Sequence, residues 1–239
     1  FWEAWKNDKE AVKQAGYSVG QYKGEWEVCH WEKPGEGDTP TPQTKEPDIS
    51  ASSAATSTLV VPVPSGLSYM PFQVAAIDYA ARRKGTLLGL EQGLGKSVIS
   101  IGVMNNDPAI RKVLVVCPAS LKLNWRNEMS KWSVREPGIA VIRDGKEWLA
   151  PDSGAVKVTI INYDLLVKHH AKLTAGEWDL MILDEVQAIK SKTAKRTKSL
   201  IGHGRGKSQV KGIPAKKTLA LSGTPIPNRP IEIYNVAHL

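Results

Sequence analysis

Residues 89–97 read Gly-Leu-Glu-Gln-Gly-Leu-Gly-Lys-Ser, and this stretch constrains the chain more than any other. A short apolar run, 86–90, precedes it, and Val98, Ile99, Ile101, Gly102 and Val103 begin a helix-compatible pattern after it. Strand, glycine-rich turn, Lys-Ser and helix is the layout of a phosphate-binding loop. Gly93 and Gly95 let backbone N–H groups approach phosphate oxygens with no Cβ in the way, and Leu94 lies between them in the same cradle. The helix starting near Lys96 directs its positive dipole end at the same anions. Lys96 can reach the β and γ phosphates, and the Ser97 hydroxyl can ligate Mg²⁺. The strict pattern asks for glycine where Leu90 stands; the nearest glycine is Gly89. A glycine turn followed by a chance Gly-Lys-Ser is the competing reading.

A second site decides between them. Residues 179–183, Asp-Leu-Met-Ile-Leu, are mostly apolar, as a strand buried in a parallel sheet requires. Asp184 and Glu185 follow where that strand ends. Acids at a strand's carboxyl end form the second half of a nucleotide site. Asp184 would hold Mg²⁺, and Glu185 would polarise the attacking water. Taken alone, the pair could equally be a helix N-cap.

Charge is distributed unevenly. The net charge is +8, yet no acidic residue occurs between Glu185 and Glu232. That stretch carries Lys190, Lys192, Lys195, Arg196, Lys198, Arg205, Lys207, Lys211, Lys216, Lys217 and Arg229. A one-signed run of this kind is the footprint of a polyanion partner, or else a solvated basic loop. The two cysteines, Cys29 and Cys117, lie far apart and point to a reducing compartment without a disulfide framework. No apolar run approaches the ~20 residues of a membrane helix. The expected location is cytoplasmic, beside a bacterial or phage nucleoid, or nuclear in a eukaryote.

The 239 residues suffice for one α/β domain and a small appendage. Residues 1–33 are rich in aromatics, and Tyr17 to Trp31 reads as a hairpin or small meander. This segment is acidic up to residue 38, with eight acids against five lysines, which disfavours phosphate contact and favours a small packed module. Residues 34–68 hold six prolines and read as a linker. From 69 to 239 strands alternate with helices. Strands are expected at 86–90, 113–117, 139–142, 156–161, 179–183 and 218–222. Helices are expected over 72–84 and near 96–105, 120–132, 163–170 and 186–200. The pattern implies a doubly wound, mainly parallel α/β sheet with ligands at the strands' carboxyl ends.

Six ordered motifs carry a family resemblance over about 68–239. They are Met-Pro-Phe-Gln at 70–73, Glu-Gln-Gly-Leu-Gly-Lys-Ser at 91–97, and Val-Val-Cys-Pro-Ala-Ser-Leu-Lys-Leu-Asn-Trp at 115–125 followed by Glu128 and Trp132. Next come Ile-Asn-Tyr-Asp-Leu-Leu at 161–166 and Asp-Glu-Val-Gln-Ala-Ile-Lys at 184–190. The last is Leu-Ser-Gly-Thr-Pro at 221–225 with Asn228-Arg229-Pro230. The chain resembles the first RecA-like lobe of Swi/Snf-type DNA-dependent ATPases of helicase superfamily two. It is most similar to the annealing-helicase branch and its phage and bacterial relatives.

The resemblance implies an ATP- and Mg²⁺-dependent motor on double-stranded DNA, with a second RecA-like lobe as partner. Gln73 would read adenine. Ser120, Lys122, Asn124 and Tyr163 would contact the DNA backbone without reading sequence. Lys195, Arg196 and Lys198 of the basic run would add phosphate contacts. Gln187, Ser222 and Thr224 would relay the state of the nucleotide. The family's motif usually has His where Gln187 stands; an amide can donate and accept, but does not titrate. The chain ends at Leu239, soon after the last motif, so the lobe supplying arginine fingers is expected outside it and the fragment alone is expected to be nearly inert. An RNA helicase or restriction-type motor of the same superfamily, or a DNA-binding adaptor with a vestigial pocket, are the alternatives.

Overall fold

The computed structural model describes residues 17–22, 25–30, 57–143, 155–189, 194–204 and 210–223. Thr224, the Asn228-Arg229-Pro230 segment, Lys190, Lys192, Arg205 and Lys207 lie outside them, as do most of residues 1–33 and 34–56. The chain divides into two compact units, Phe1–Ile49 and Ser50–Leu239. In the first, β1 (Tyr17–Tyr22) pairs antiparallel with β2 (Glu25–His30), from Tyr17 opposite His30 to Tyr22 opposite Glu25. Of the hairpin and the small meander that the sequence leaves open for residues 17–31, the described residues form a hairpin pairing.

The second unit is the α/β domain. After α1 (Pro71–Ala81) come β3 (Gly85–Leu88), α2 (Lys96–Asn106) and β4 (Lys112–Cys117). A 3₁₀ turn, Ala119–Leu121, leads into α3 (Lys122–Trp132), followed by β5 (Pro137–Val141) and β6 (Val156–Asn162). Another 3₁₀ turn, Tyr163–Leu165, opens α4 (Leu166–Leu173), and β7 (Trp178–Leu183), α5 (Lys195–Ile201) and β8 (Ala215–Leu221) complete the order. The six strands β3 to β8 form one sheet in the order β3-β8-β7-β4-β6-β5, and every neighbouring pair is parallel.

Strands buried on both faces lack a polar side, which is why their sequences read as unbroken apolar runs. Val113, Val115, Cys117, Leu180, Ile182, Leu219 and Leu221 face one core with Ile77, Ile99, Met104, Trp125 and Met129 of α1, α2 and α3. The alternate residues Leu114, Val116, Met181, Leu183 and Ala220 face the other, with Leu166, Leu173 and Leu200 of α4 and α5. The sheet is thus doubly wound, as expected.

Two expectations are revised. Residues 57–68 are not a linker: Val61 is buried in the first core, and the Ser57 hydroxyl donates to Asp78 Oδ2 at 2.8 Å. Adjoining them, Tyr69 stacks on Trp132 with ring centroids 5.5 Å apart, so proline-rich chain here is held by side chains rather than by regular structure. Nor does one helix span 186–200. Glu185 has φ +49°, the one non-glycine residue with positive φ among the described residues, and the chain makes a 3₁₀ turn, Val186–Ile189, before α5. The break lies at Ala194, whose φ of −62° and ψ of 134° are extended and make it the N-cap of α5.

Candidate nucleotide site

Three strands that are neighbours in the sheet, β3, β8 and β7, deliver the site at their carboxyl ends. The loop after β3 closes on Gly95, whose φ of +76° makes it the N-cap of α2; Gly93 is likewise left-handed at +83°. The positive φ of Gly95 favours glycine, and a Cβ there would lie 2.5 Å from Gln73 Nε2 and displace that amide. The first N–H groups of α2 lack intrahelical acceptors and face the loop, where an anion can take them. Lys96 Nζ donates to the carbonyls of Leu90 at 2.8 Å and Glu91 at 3.0 Å, which holds the ammonium across the loop. Ser97, next on the first turn of α2, is half-buried.

Gln73 lies beneath the loop and is buried. Its amide oxygen accepts the Met70 N–H at 3.0 Å and its nitrogen donates to the Leu94 carbonyl at 3.3 Å. It therefore braces the phosphate loop, and its amide keeps a second N–H and a second lone pair beyond these two bonds.

Asp184 extends β7 by one residue, its N–H donating to the Val116 carbonyl at 2.8 Å. The carboxylate is 8% exposed. Oδ2 accepts the Trp125 indole N–H at 2.8 Å, and Oδ1 accepts the Glu185 N–H at 3.0 Å. Burial raises its pKa, and the charge of Glu185 adds to that; the Trp125 and Glu185 N–H groups and the charge of Lys96 lower it without cancelling the rise. The Glu185 carboxylate accepts Gln187 Nε2 at 2.6 Å, and Gln187 Oε1 accepts the Ser222 hydroxyl at 3.0 Å. The Ser222 N–H in turn donates to the Leu88 carbonyl of β3 at 3.2 Å. At the next position a Cβ on Gly223 would stand 3.8 Å from Lys96 Nζ. Lys96, Asp184, Glu185, Gln187 and Ser222 are thus brought together, although 126 positions separate residue 96 from residue 222.

The residues expected to touch DNA divide. Ser120 and Asn124 are exposed at the start of α3, and Lys195 is exposed on α5. Lys122 Nζ instead spans to the Ile142 carbonyl at 2.8 Å and Asn162 Oδ1 at 3.1 Å. Tyr163 is a correction: it is 4% exposed, and its hydroxyl donates to the Asp184 carbonyl at 2.8 Å. It supports the acidic pair from within and has no surface for a phosphate. Arg196 faces Asp164 at 3.5 Å. Lys195 and Lys198 line a cavity of about 380 Å³ with Val167, His170, Ser199 and His203. Lys216 pairs with Asp179 at 2.7 Å, and Lys217 Nζ donates to the carbonyls of Ala80, Ala81 and Arg83, which caps α1. The basic run therefore includes structural lysines as well as exposed ones.

Sequence reasoning assigned no role to Trp125 and misread Tyr163. Both side chains find their partner across the fold, at sequence separations of 59 and 21, where no local pattern reports it.

A glycine loop opening a helix, an acidic pair on a nearby strand and a doubly wound parallel sheet define a P-loop nucleoside-triphosphate-binding domain of RecA-like form. The chain belongs to the SNF2-related domain family, which matches residues 17–239. It is 30% identical over 172 residues to "SWI/SNF-related matrix-associated actin-dependent regulator of chromatin subfamily A-like protein 1" of Xenopus tropicalis, covering 71% of this chain and 17% of that protein. It is 31% identical over 175 residues to "DNA annealing helicase and endonuclease ZRANB3" of Bos taurus, covering 69% and 15%. Among solved structures, the Sulfolobus solfataricus SWI2/SNF2 ATPase core in complex with dsDNA has the same fold, with a TM-score of 0.58 at 23% identity over 71% of this chain and 35% of that one. The chain thus spans about a sixth of the length of the curated relatives it matches. Among the described residues, no helix is long and apolar enough to cross a membrane.

Proposed function

We propose that this chain is the ATP-binding lobe of a DNA-dependent ATPase that couples hydrolysis to movement along duplex DNA, working with a second RecA-like lobe. One observation carries the reading. The hydrogen-bonded series Glu185, Gln187, Ser222 joins the acidic pair to the end of β8, beside the lysine of the phosphate loop.

Each residue has a physical task. Lys96 meets the charge on the β and γ phosphates by exchanging its loop carbonyls for phosphate oxygens. Glu185 orients a water and accepts its proton. Its carboxylate is held by Gln187, so its orientation depends on where β8 and Ser222 stand. The donor set suits Mg²⁺: Asp184 and Ser97 offer hard oxygens, and each Asp184 carboxylate oxygen keeps a lone pair beyond the hydrogen bond described. Among the described residues no group of three or more His, Cys, Asp or Glu could hold a metal alone. Mg²⁺ is usually bound through one or two carboxylates together with substrate phosphates. The ion would neutralise phosphate charge.

The exposed Ser120, Asn124 and Lys195 support a sequence-independent backbone grip. We further infer that residues 57–68 belong to this lobe and that the hairpin unit is a separate module. The test is ATP turnover by the full-length protein with duplex DNA, with RNA and with neither. Stimulation by duplex DNA alone supports the reading; stimulation by RNA favours an RNA helicase, and no turnover favours an adaptor.

A further inference from the structure

Trp125 and Met129 are the buried residues of α3, and Trp125 is the one of the two that carries a polar N–H. The flanking positions Leu123, Asn124, Arg126 and Asn127 are exposed, whereas Trp125 is 1% exposed. A buried indole N–H needs an acceptor, and a neutral carbonyl would do. Here the acceptor is Asp184 Oδ2, at 2.8 Å. A hydrogen bond to a carboxylate is shorter and stronger than one to a neutral carbonyl. Together with the Glu185 N–H on Oδ1, it fixes the plane of the carboxylate from both sides.

We propose that Trp125 is a positioning residue: its indole N–H holds the Asp184 carboxylate in the orientation that receives the Mg²⁺ of bound ATP, and it ties α3 to that carboxylate. The proposal rests on the nucleotide site described above. Its second half follows from Asn124, which is the adjacent residue and exposed. A phosphate backbone that shifts α3 would shift the donor, and with it the carboxylate. The connection is one side chain long.

Replacing the hydrogen-bond partner of a metal ligand usually costs ~10–100-fold in metal affinity or activity. In the full-length protein, Trp125→Phe should raise the Mg²⁺ concentration for half-maximal binding of a fluorescent ATP analogue by ~10-fold or more. It should lower kcat more than it raises KM for ATP, and reduce the ratio of DNA-stimulated to basal turnover. Trp132→Phe, also on α3 but stacked on Tyr69, should match wild type in all three. A folded Trp125→Phe with wild-type Mg²⁺ dependence overturns the positioning role. A wild-type stimulation ratio overturns the link to α3. Should Trp125→Phe not fold, the indole N–H signals of the wild-type protein decide. One signal should move on adding Mg²⁺ and ATP, and that same signal should be displaced in Asp184→Asn. The absence of any indole signal that responds to both overturns the proposal. Wild-type protein that binds no ATP at any Mg²⁺ concentration would instead overturn the nucleotide site itself.

Discussion

Strand β7 has an aspartate near each end, and the two are held in opposite ways. Asp179, at the amino end, is partly buried, which alone would raise its pKa. The Lys216 ammonium at 2.7 Å and the N–H groups of Arg111 and Lys112, each at 2.9 Å, outweigh that and lower it. Asp184, just past the carboxyl end, is buried more deeply, and its partners do not outweigh burial, so its pKa is raised. The contrast extends across the domain. At the amino end Lys217 caps α1, and Arg135 caps α2 through the carbonyls of Met104, Asp107, Pro108 and Ile110. At the carboxyl end Lys96 is likewise bonded to carbonyls, those of the glycine loop, and Glu185 is held at positive φ. The carboxylates are what differ: Asp179 is hydrogen-bonded to a cation, Asp184 to the neutral N–H groups of Trp125 and Glu185. On the proposed reading, that unmatched charge is what the ion of a bound nucleotide would meet.

The largest effect should come from the unmatched end. Lys96→Ala removes the cation that, on the proposed reading, faces the phosphates, and should cut turnover by ~10² or more, while the melting temperature stays near that of wild type. Calorimetry giving equal Mg²⁺-ATP affinity for the variant and wild type would break the comparison at its main point. Glu185→Gln should also lower turnover by ~10²–10³ yet keep ATP bound. Glu185→Gly should be as inactive, and more stable than Glu185→Ala by ~1 kcal/mol, since both lose the bond to Gln187 and only glycine relieves the left-handed backbone. Equal stability of the two variants in denaturant titration would show that position 185 stores no strain.

The matched end should respond in stability alone. Asp179→Ala removes the acceptor of two backbone N–H groups and of Lys216, all reached by water, and should cost ~0.5–1.5 kcal/mol, with DNA-stimulated turnover unchanged when assayed well below the melting transition. Its pH dependence has a definite sign. The folded-state pKa of Asp179 is lowered, so its contribution is present above the ordinary aspartate pKa and lost as pH falls through the folded value. Asp184 has the opposite sign: its contribution is present below the ordinary pKa and lost as pH rises through the raised value. Unfolding free energy measured across the acid range should therefore show a shallower acid loss in Asp179→Asn than in wild type. Parallel curves would mean that Lys216 and the two N–H groups do not hold the ionised form.

The smallest effect concerns the basic run. Neutralising Lys195, Arg196 and Lys198 together should flatten the slope of log affinity for duplex DNA against log salt by ~2, less than three full phosphate contacts would give, because Arg196 already faces Asp164. An unchanged slope would assign α5 to the structural half of the comparison.

The sequence by itself determined what is local. An apolar run before a glycine loop and Lys-Ser predicts strand, phosphate loop and helix, because the turn requires glycines and the helix start requires free N–H groups. An apolar run ending in Asp184-Glu185 predicts a buried strand with acids at its mouth. Chain separation hid the rest. Only the tertiary structure decided that β8 lies between β3 and β7, which puts Ser222 within a hydrogen bond of Gln187. It also decided that the Trp125 indole reaches Asp184, that Tyr163 points inward, that Lys216 pairs with Asp179 and that Lys217 caps α1. The physical reason is the same in each case. A residue's neighbours in sequence record whether it is buried, since burial follows the period of its own helix or strand. They carry no record of which distant donor or acceptor meets it there, because that depends on strand order, and strand order is set by how whole segments pack.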